Sequence, residues 1–99
     1  MAATAALLLT ACGGDDEPAG EASLGQTVYS DNCASCHGPD GEGGTGPQLG
    51  DGAVEENLTL DEQLEVIREG RNGMPAWGGD LSEEEIEAVA VFEREELGR

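Results

Sequence analysis

The sequence predicts a small all-α domain, and three observations predict it. Two capping boxes, Thr59-Leu60-Asp61-Glu62 and Ser82-Glu83-Glu84-Glu85, each open a stretch whose apolar residues recur at helical spacing. Ser23 stands as an N-cap before Leu24, Val28 and Tyr29, which share one helical stripe. No β-branched run precedes Cys33, and the stretch after Cys36 is rich in glycine rather than in strand formers. A chain of 99 residues has room for one domain at most.

Taken in order, residues 1–11 end in an apolar run, Ala5-Ala6-Leu7-Leu8-Leu9, followed by Thr10-Ala11-Cys12. That pattern looks like the end of a bacterial lipoprotein signal, with Cys12 the lipidated residue. A positively charged start, which such a signal should have, is missing, so either the true start lies upstream or the stretch is not such a signal. The alternative is an ordinary secretory signal with an incidental cysteine. Both readings export the protein, and the run is too short to span a bilayer. Residues 12–22 are small and acidic and contain Pro18, so they read as a flexible tether.

The helix opened by Ser23 leads into Cys33-Ala34-Ser35-Cys36-His37. Two cysteines spaced C-x-x-C with a histidine directly after them read as a c-type haem attachment site. Each thiol adds to a haem vinyl group while the histidine falls beneath the iron. Three other readings stand beside it. A thioredoxin-like pair wants a strand before and a helix after the motif. A structural zinc site wants four ligands, and only Cys33, Cys36 and His37 lie close together. A simple disulfide leaves His37 unexplained.

Residues 38–52 form a loop with seven glycines, interrupted by Pro39 and Pro47. Glycine there lets backbone approach a porphyrin edge closely. The helix that Thr59 opens carries Leu60, Leu64 and Ile67 inward and stops at Gly70, with Arg68 and Arg71 near its negative end. Pro75 biases Met74 toward an extended shape, which lets a loop aim its side chain inward. The last helix turns Ile86, Val89, Ala90 and Phe92 inward. Glu93, Glu95 and Glu96 lie at its negative end, so fraying beyond Phe92 is expected.

The composition fits a domain that needs a cofactor. Sixteen glycines must be ordered by few large apolar side chains, and domains this small usually need a disulfide, a metal or a cofactor. The formal charge is −18, from 22 acids against four arginines. That balance argues against nucleic acid and against anionic lipid headgroups, and suits docking onto basic partner surfaces. A solvated acidic coat, as in proteins of salty habitats, is the alternative.

Through Cys33-Ala34-Ser35-Cys36-His37-Gly38 and Gly73-Met74-Pro75-Ala76-Trp77 the chain resembles the small mono-haem class I cytochromes c, over about Ser23 to Leu97. The resemblance implies a cytochrome c domain at 23–99, with three to four helices around one covalently attached haem c and the first and last helices crossing. Gly25 and Tyr29 fit the family's crossing positions, Phe92 the aromatic that meets them. Pro47 would offer its carbonyl to the ring N–H of His37, which fixes the imidazole; plain stiffening of the loop is the other reading. Trp77 would pack beside the haem or simply in the core. Arg71 or Arg68 would meet a haem propionate or serve the helix end, and Tyr29 would border the haem pocket.

With lysine absent and the single histidine used, Met74 is left as the second iron ligand, against its ordinary role as a core gap-filler. His/Met haem iron is the electron-transfer type. The expected function is a monomeric carrier of single electrons, not an enzyme. It would sit in the periplasm or on the outer face of the cytoplasmic membrane, touching the membrane only through a lipid at Cys12. Its partners would be an oxidase, a reductase or a bc-type complex. The alternatives are a haem c subunit of a larger oxidoreductase, or a sensor or catalytic haem protein if Met74 does not ligate.

Overall fold

A computed structural model describes residues 22–99; the signal at 1–11, Cys12 and the tether up to residue 21 lie outside the described residues. The order is α1 (22–28), a π-helical turn (Tyr29–Cys33), α2 (Ala34–His37), α3 (Ala53–Asn57), α4 (Leu60–Glu69) and α5 (Glu83–Glu95). Among the described residues there is no strand, and the β pairing consists of one isolated bridge between Arg71 and Met74.

The predicted helices are present, with corrections at their edges. Ala22 and Ser23 are already helical, so Ser23 is not an N-cap and Ala22 is not tether. Both capping boxes form: Thr59 Oγ1 accepts from Glu62 N at 3.1 Å while Glu62 Oε1 accepts from Thr59 N at 2.9 Å. Ser82 and Glu85 repeat the arrangement at 3.1 and 2.8 Å. On α4 the inward stripe is rotated from the expected one. Leu60 is 41% exposed, whereas Gln63 and Ile67 are buried.

The last helix does not fray at Phe92. It runs to Glu95, and Leu97 behind it is 2% exposed. Leu97 N donates to Phe92 O at 3.0 Å and Leu97 O accepts from Asp51 N at 3.0 Å. Burial of one leucine therefore outweighs the few tenths of a kcal/mol that acids cost at a helix end.

Helices α1 and α5 cross at Gly25. A β-carbon built there would meet Ala88 O and lie 2.7 Å from Phe92 Cβ. One turn on, the Tyr29 ring lies 5.8 Å from that of Phe92, tilted at 47°. Tyr29 O–H donates to Gly38 O at 2.7 Å, which ties this crossing to the end of α2. Gly25→Ala is expected to destabilise the fold by about 1–3 kcal/mol from overpacking. The helix propensity gained, about 1 kcal/mol, is outweighed because the obstructing carbonyl belongs to the backbone of α5. A shift of the urea midpoint to higher concentration would contradict the crossing.

One core runs through the domain. Val28, Tyr29, Cys33, Ile67, Ile86, Val89, Ala90 and Leu97 form it, and Met74, Trp77, Leu64 and Phe92 pack against it from the side.

Candidate functional site

The motif begins inside the core and ends at its edge. Asn32 Nδ2 donates back to Val28 O at 3.0 Å, the kind of side-chain bond that competes with the helical ladder. The ladder widens by one residue here, with Ala34 N bonding Tyr29 O. Cys33 is 8% exposed, Cys36 is exposed, and both are free thiols. Burial, with Glu93 and Cys36 nearby, pushes the Cys33 thiol up to about 12. A thioredoxin-like pair needs an accessible thiol of lowered pKa, so the setting of Cys33 speaks against that reading. Nor, among the described residues, do three or more His, Cys, Asp or Glu side chains cluster to hold a bare metal ion.

His37 is 7% exposed, and its Nδ1 donates to Pro47 O at 2.8 Å. A carbonyl can only accept, so this bond places the ring proton on Nδ1 and leaves Nε2 for a metal. The glycine-rich loop earns its place by proximity. Gly43 N donates to His37 O at 2.7 Å and Gly46 N to Cys36 O at 2.8 Å, so the last carbonyls of α2 are satisfied by the loop. A β-carbon at Gly46 would stand 2.9 Å from His37 Cε1, so any other residue would push the imidazole from its position.

Met74 is carried by a turn fastened at both ends. Met74 N donates to Arg71 O at 2.9 Å and Arg71 N to Met74 O at 3.2 Å, with Asn72 at φ 55°. Beyond Pro75 the chain returns along α4, with Trp77 N on Ile67 O at 2.9 Å and Gly78 N on Arg68 O at 3.1 Å. Met74 and Trp77 are each half-buried against the core that holds Cys33. Arg68, one of the two arginines considered for a propionate, is held instead by Glu83, with Nη2–Oε1 at 2.8 Å. Arg71 is exposed, and among the described residues its side chain makes no ion pair or hydrogen bond.

These residues fit a haem c. Two unpaired thiols sit three residues apart, an imidazole is oriented by its second nitrogen, and a thioether leans on the core to which the buried thiol belongs. When bound, such a group supplies one-electron chemistry through its iron.

A buried polar cluster beside Cys33 was not expected from the sequence. Glu93 is 4% and Gln63 3% exposed. Gln63 Nε2 donates to Glu93 Oε1 at 2.8 Å and to Ala90 O at 3.2 Å, while Arg94 Nη1 donates to Gln63 Oε1 and Leu58 O, each at 3.1 Å. Burial pushes the Glu93 carboxyl up from 4.5 to about 7, against the opposing pull of the Gln63 hydrogen bond. A carboxyl raised on folding favours the native state most below pH 4.5. That contribution declines as pH rises through about 7. The loss is on the order of 3 kcal/mol. Glu93→Leu should therefore be more stable than the parent at pH 8 and gain far less at pH 4.5. Urea unfolding at the two pH values checks this, and an equal gain at both would contradict it.

Comparison with known proteins is in accord with this geometry. A family model described as "Cytochrome C oxidase, cbb3-type, subunit III" matches residues 20–92. The chain is 39% identical over 98 residues to the chloroplastic cytochrome c6 of Chlamydomonas reinhardtii, covering 93% of this chain and 65% of that protein. It is 36% identical over 85 residues to the cbb3-type cytochrome c oxidase subunit CcoP of Cereibacter sphaeroides, covering 80% of this chain and 29% of that subunit. The chain thus spans a little under two thirds of the first relative and under a third of the second. Among solved structures, cytochrome c6 of the diatom Phaeodactylum tricornutum matches with a TM-score of 0.63 at 33% identity, over 73% of this chain and 88% of that one. The family match takes in Cys33, Cys36, His37, Pro47 and Met74 together, and the chain belongs to the cytochrome c family.

Proposed function

We propose that the protein is a carrier of single electrons, with one haem c joined to Cys33 and Cys36 and its iron held by His37 and Met74. The observation that carries this is the His37 Nδ1–Pro47 O hydrogen bond of 2.8 Å, made directly after a C-x-x-C pair of free thiols. It fixes the tautomer and makes the imidazole a stronger ligand. Met74, fastened by its turn, would supply the second iron ligand, a neutral thioether that favours the ferrous state. With His37 and Met74 both ligating, the iron would keep no open site for a substrate, which favours a carrier over an enzyme. Among the described residues Arg71 is the arginine whose guanidinium makes no ion pair or hydrogen bond, which leaves it for a propionate, and Trp77 of the same segment would pack beside the haem.

The partners are redox proteins with basic docking faces. Arg68 and Arg99 are already paired with Glu83 and Glu55, so the 22 acids are offset by little free positive charge. Electron transfer to a basic partner should therefore slow as salt is added. Among the described residues no helix is long and apolar enough to cross a membrane. Export, with a lipid on Cys12, places the domain on the outer side of the cytoplasmic membrane. The family model and the CcoP relative favour a second reading, a haem c module belonging to an oxidase complex. Ultraviolet–visible spectra of the exported protein, oxidised and reduced, test the first claim. A c-type spectrum with no carbon monoxide binding is expected, and a colourless product or a zinc protein would overturn it. Purification at native abundance separates the two readings: a free carrier elutes alone, a module with its oxidase.

A further inference from the structure

The mechanism above leaves Glu93 unused, although it is a carboxyl in the core at the face that carries Cys33. Three features set it apart. It occupies an inward position of α5, one turn beyond Val89 and Ala90, both 0% exposed. It has a built partner, since Arg94 holds Gln63 Oε1 and so turns Gln63 Nε2 onto Glu93 Oε1 at 2.8 Å. And it lies one turn from Ala90 and from Leu97, both of which share the core cluster with Cys33 and Tyr29 of the π turn.

Resting on the haem reading, we propose that Glu93 couples a proton to the electron: its carboxylate takes one proton from water as one electron arrives from a reduced donor protein. The proton is released when the electron leaves. The balance is one electron to the iron and one proton to a Glu93 oxygen, with no other bond made or broken. The direction follows from charge. Ferric haem carries one positive charge more than ferrous haem and so favours the carboxylate, while ferrous haem favours the acid. The potential therefore falls as pH rises.

No other group facing Glu93 competes near neutrality. From the π turn, Cys33 loses its titrating proton once it is a thioether. Tyr29, buried and close to Glu93, Asp40 and Glu42, has its pKa raised above the ordinary value and stays neutral. From α4 the facing group is the neutral Gln63, and on α5 itself Arg94 is turned to Gln63 and Leu58. From α3, Glu55 is paired with Arg99. Burial already holds Glu93 at about 7, so the responsive range brackets neutral pH.

The test is a potentiometric titration of the mature haem protein between about pH 5 and pH 9, beside Glu93→Gln. The parent's potential should fall as pH rises, with a slope bounded by a tenfold change in the redox equilibrium per pH unit, about 59 mV for one electron. In Glu93→Gln, which keeps the shape and the haem propionates, that slope should be lost. A flat parent profile, or a slope unchanged in the variant, overturns the proposal while leaving a reversible haem couple, and so leaves the carrier reading standing. Absence of any haem couple overturns both. If the variant fails to mature, the redox-difference infrared spectrum of the parent decides. A protonated carboxyl band that grows on reduction supports the assignment, and its absence refutes it.

Discussion

A Met74→Ala variant keeps its covalent haem but loses the weak near-infrared sulfur-to-iron absorption, falls in midpoint potential and binds carbon monoxide when reduced. The potential should drop by a sizeable part of the roughly 0.8 V range that axial ligands command. The effect is specific because the turn is held by backbone. The Arg71–Met74 bridge and the Trp77 and Gly78 bonds to α4 use no atom of the Met74 side chain. Truncation therefore removes the sulfur without releasing the loop. Retention of the near-infrared feature and of the parental potential would assign the sixth ligand elsewhere.

The second large effect is expected from Cys33→Ala together with Cys36→Ala. No haem would remain after denaturing electrophoresis, and most of the far-ultraviolet helical signal would be lost. The described core is small, and it includes Cys33 itself. Helices α2 and α3, of four and five residues, are too short to persist alone. A porphyrin joined to the chain adds apolar area that a domain of this size otherwise lacks. Full native helicity in the doubly substituted, haem-free chain would refute this dependence.

Much of this arrangement is legible in the residues themselves. The two capping boxes state where α4 and α5 begin, because Ser, Thr and Glu at those spacings satisfy helix N–H groups that nothing else reaches. Three features escape such reading. The segment Ala53–Asn57 is one turn long and follows Gly52 at φ 85°, too short for periodicity to register. On α4, Leu60 carries the apolar pattern but lies on the open side, and Gln63 takes the inner place because Glu93 and Ala90 supply its hydrogen bonds.

Glu93 itself did leave a signal. It falls on the same helical stripe as Ile86, Val89, Ala90 and Leu97, where an acid is out of place. Its charge drew attention to the helix end, when its register pointed to the interior. The π turn had no such signature, since nothing in Tyr29-Ser30-Asp31-Asn32-Cys33 distinguishes a ladder of five from one of four until Asn32 is seen bonded to Val28.

That extra residue acts as a phase adjuster. In an α-helix each residue advances the direction of the side chain by about 100°. Because Ala34 N reaches Tyr29 O, Ala34 stands over Tyr29 where the fourth residue of an ordinary ladder would stand, so the surplus is absorbed within the turn. Deleting one residue between Tyr29 and Cys33 would let the ladder revert to ordinary pitch while Ala34–His37 keep their direction relative to the Gly25–Phe92 contact. A one-codon deletion there should therefore keep its pigment, an outcome that the 100° advance of a regular helix alone would not foresee.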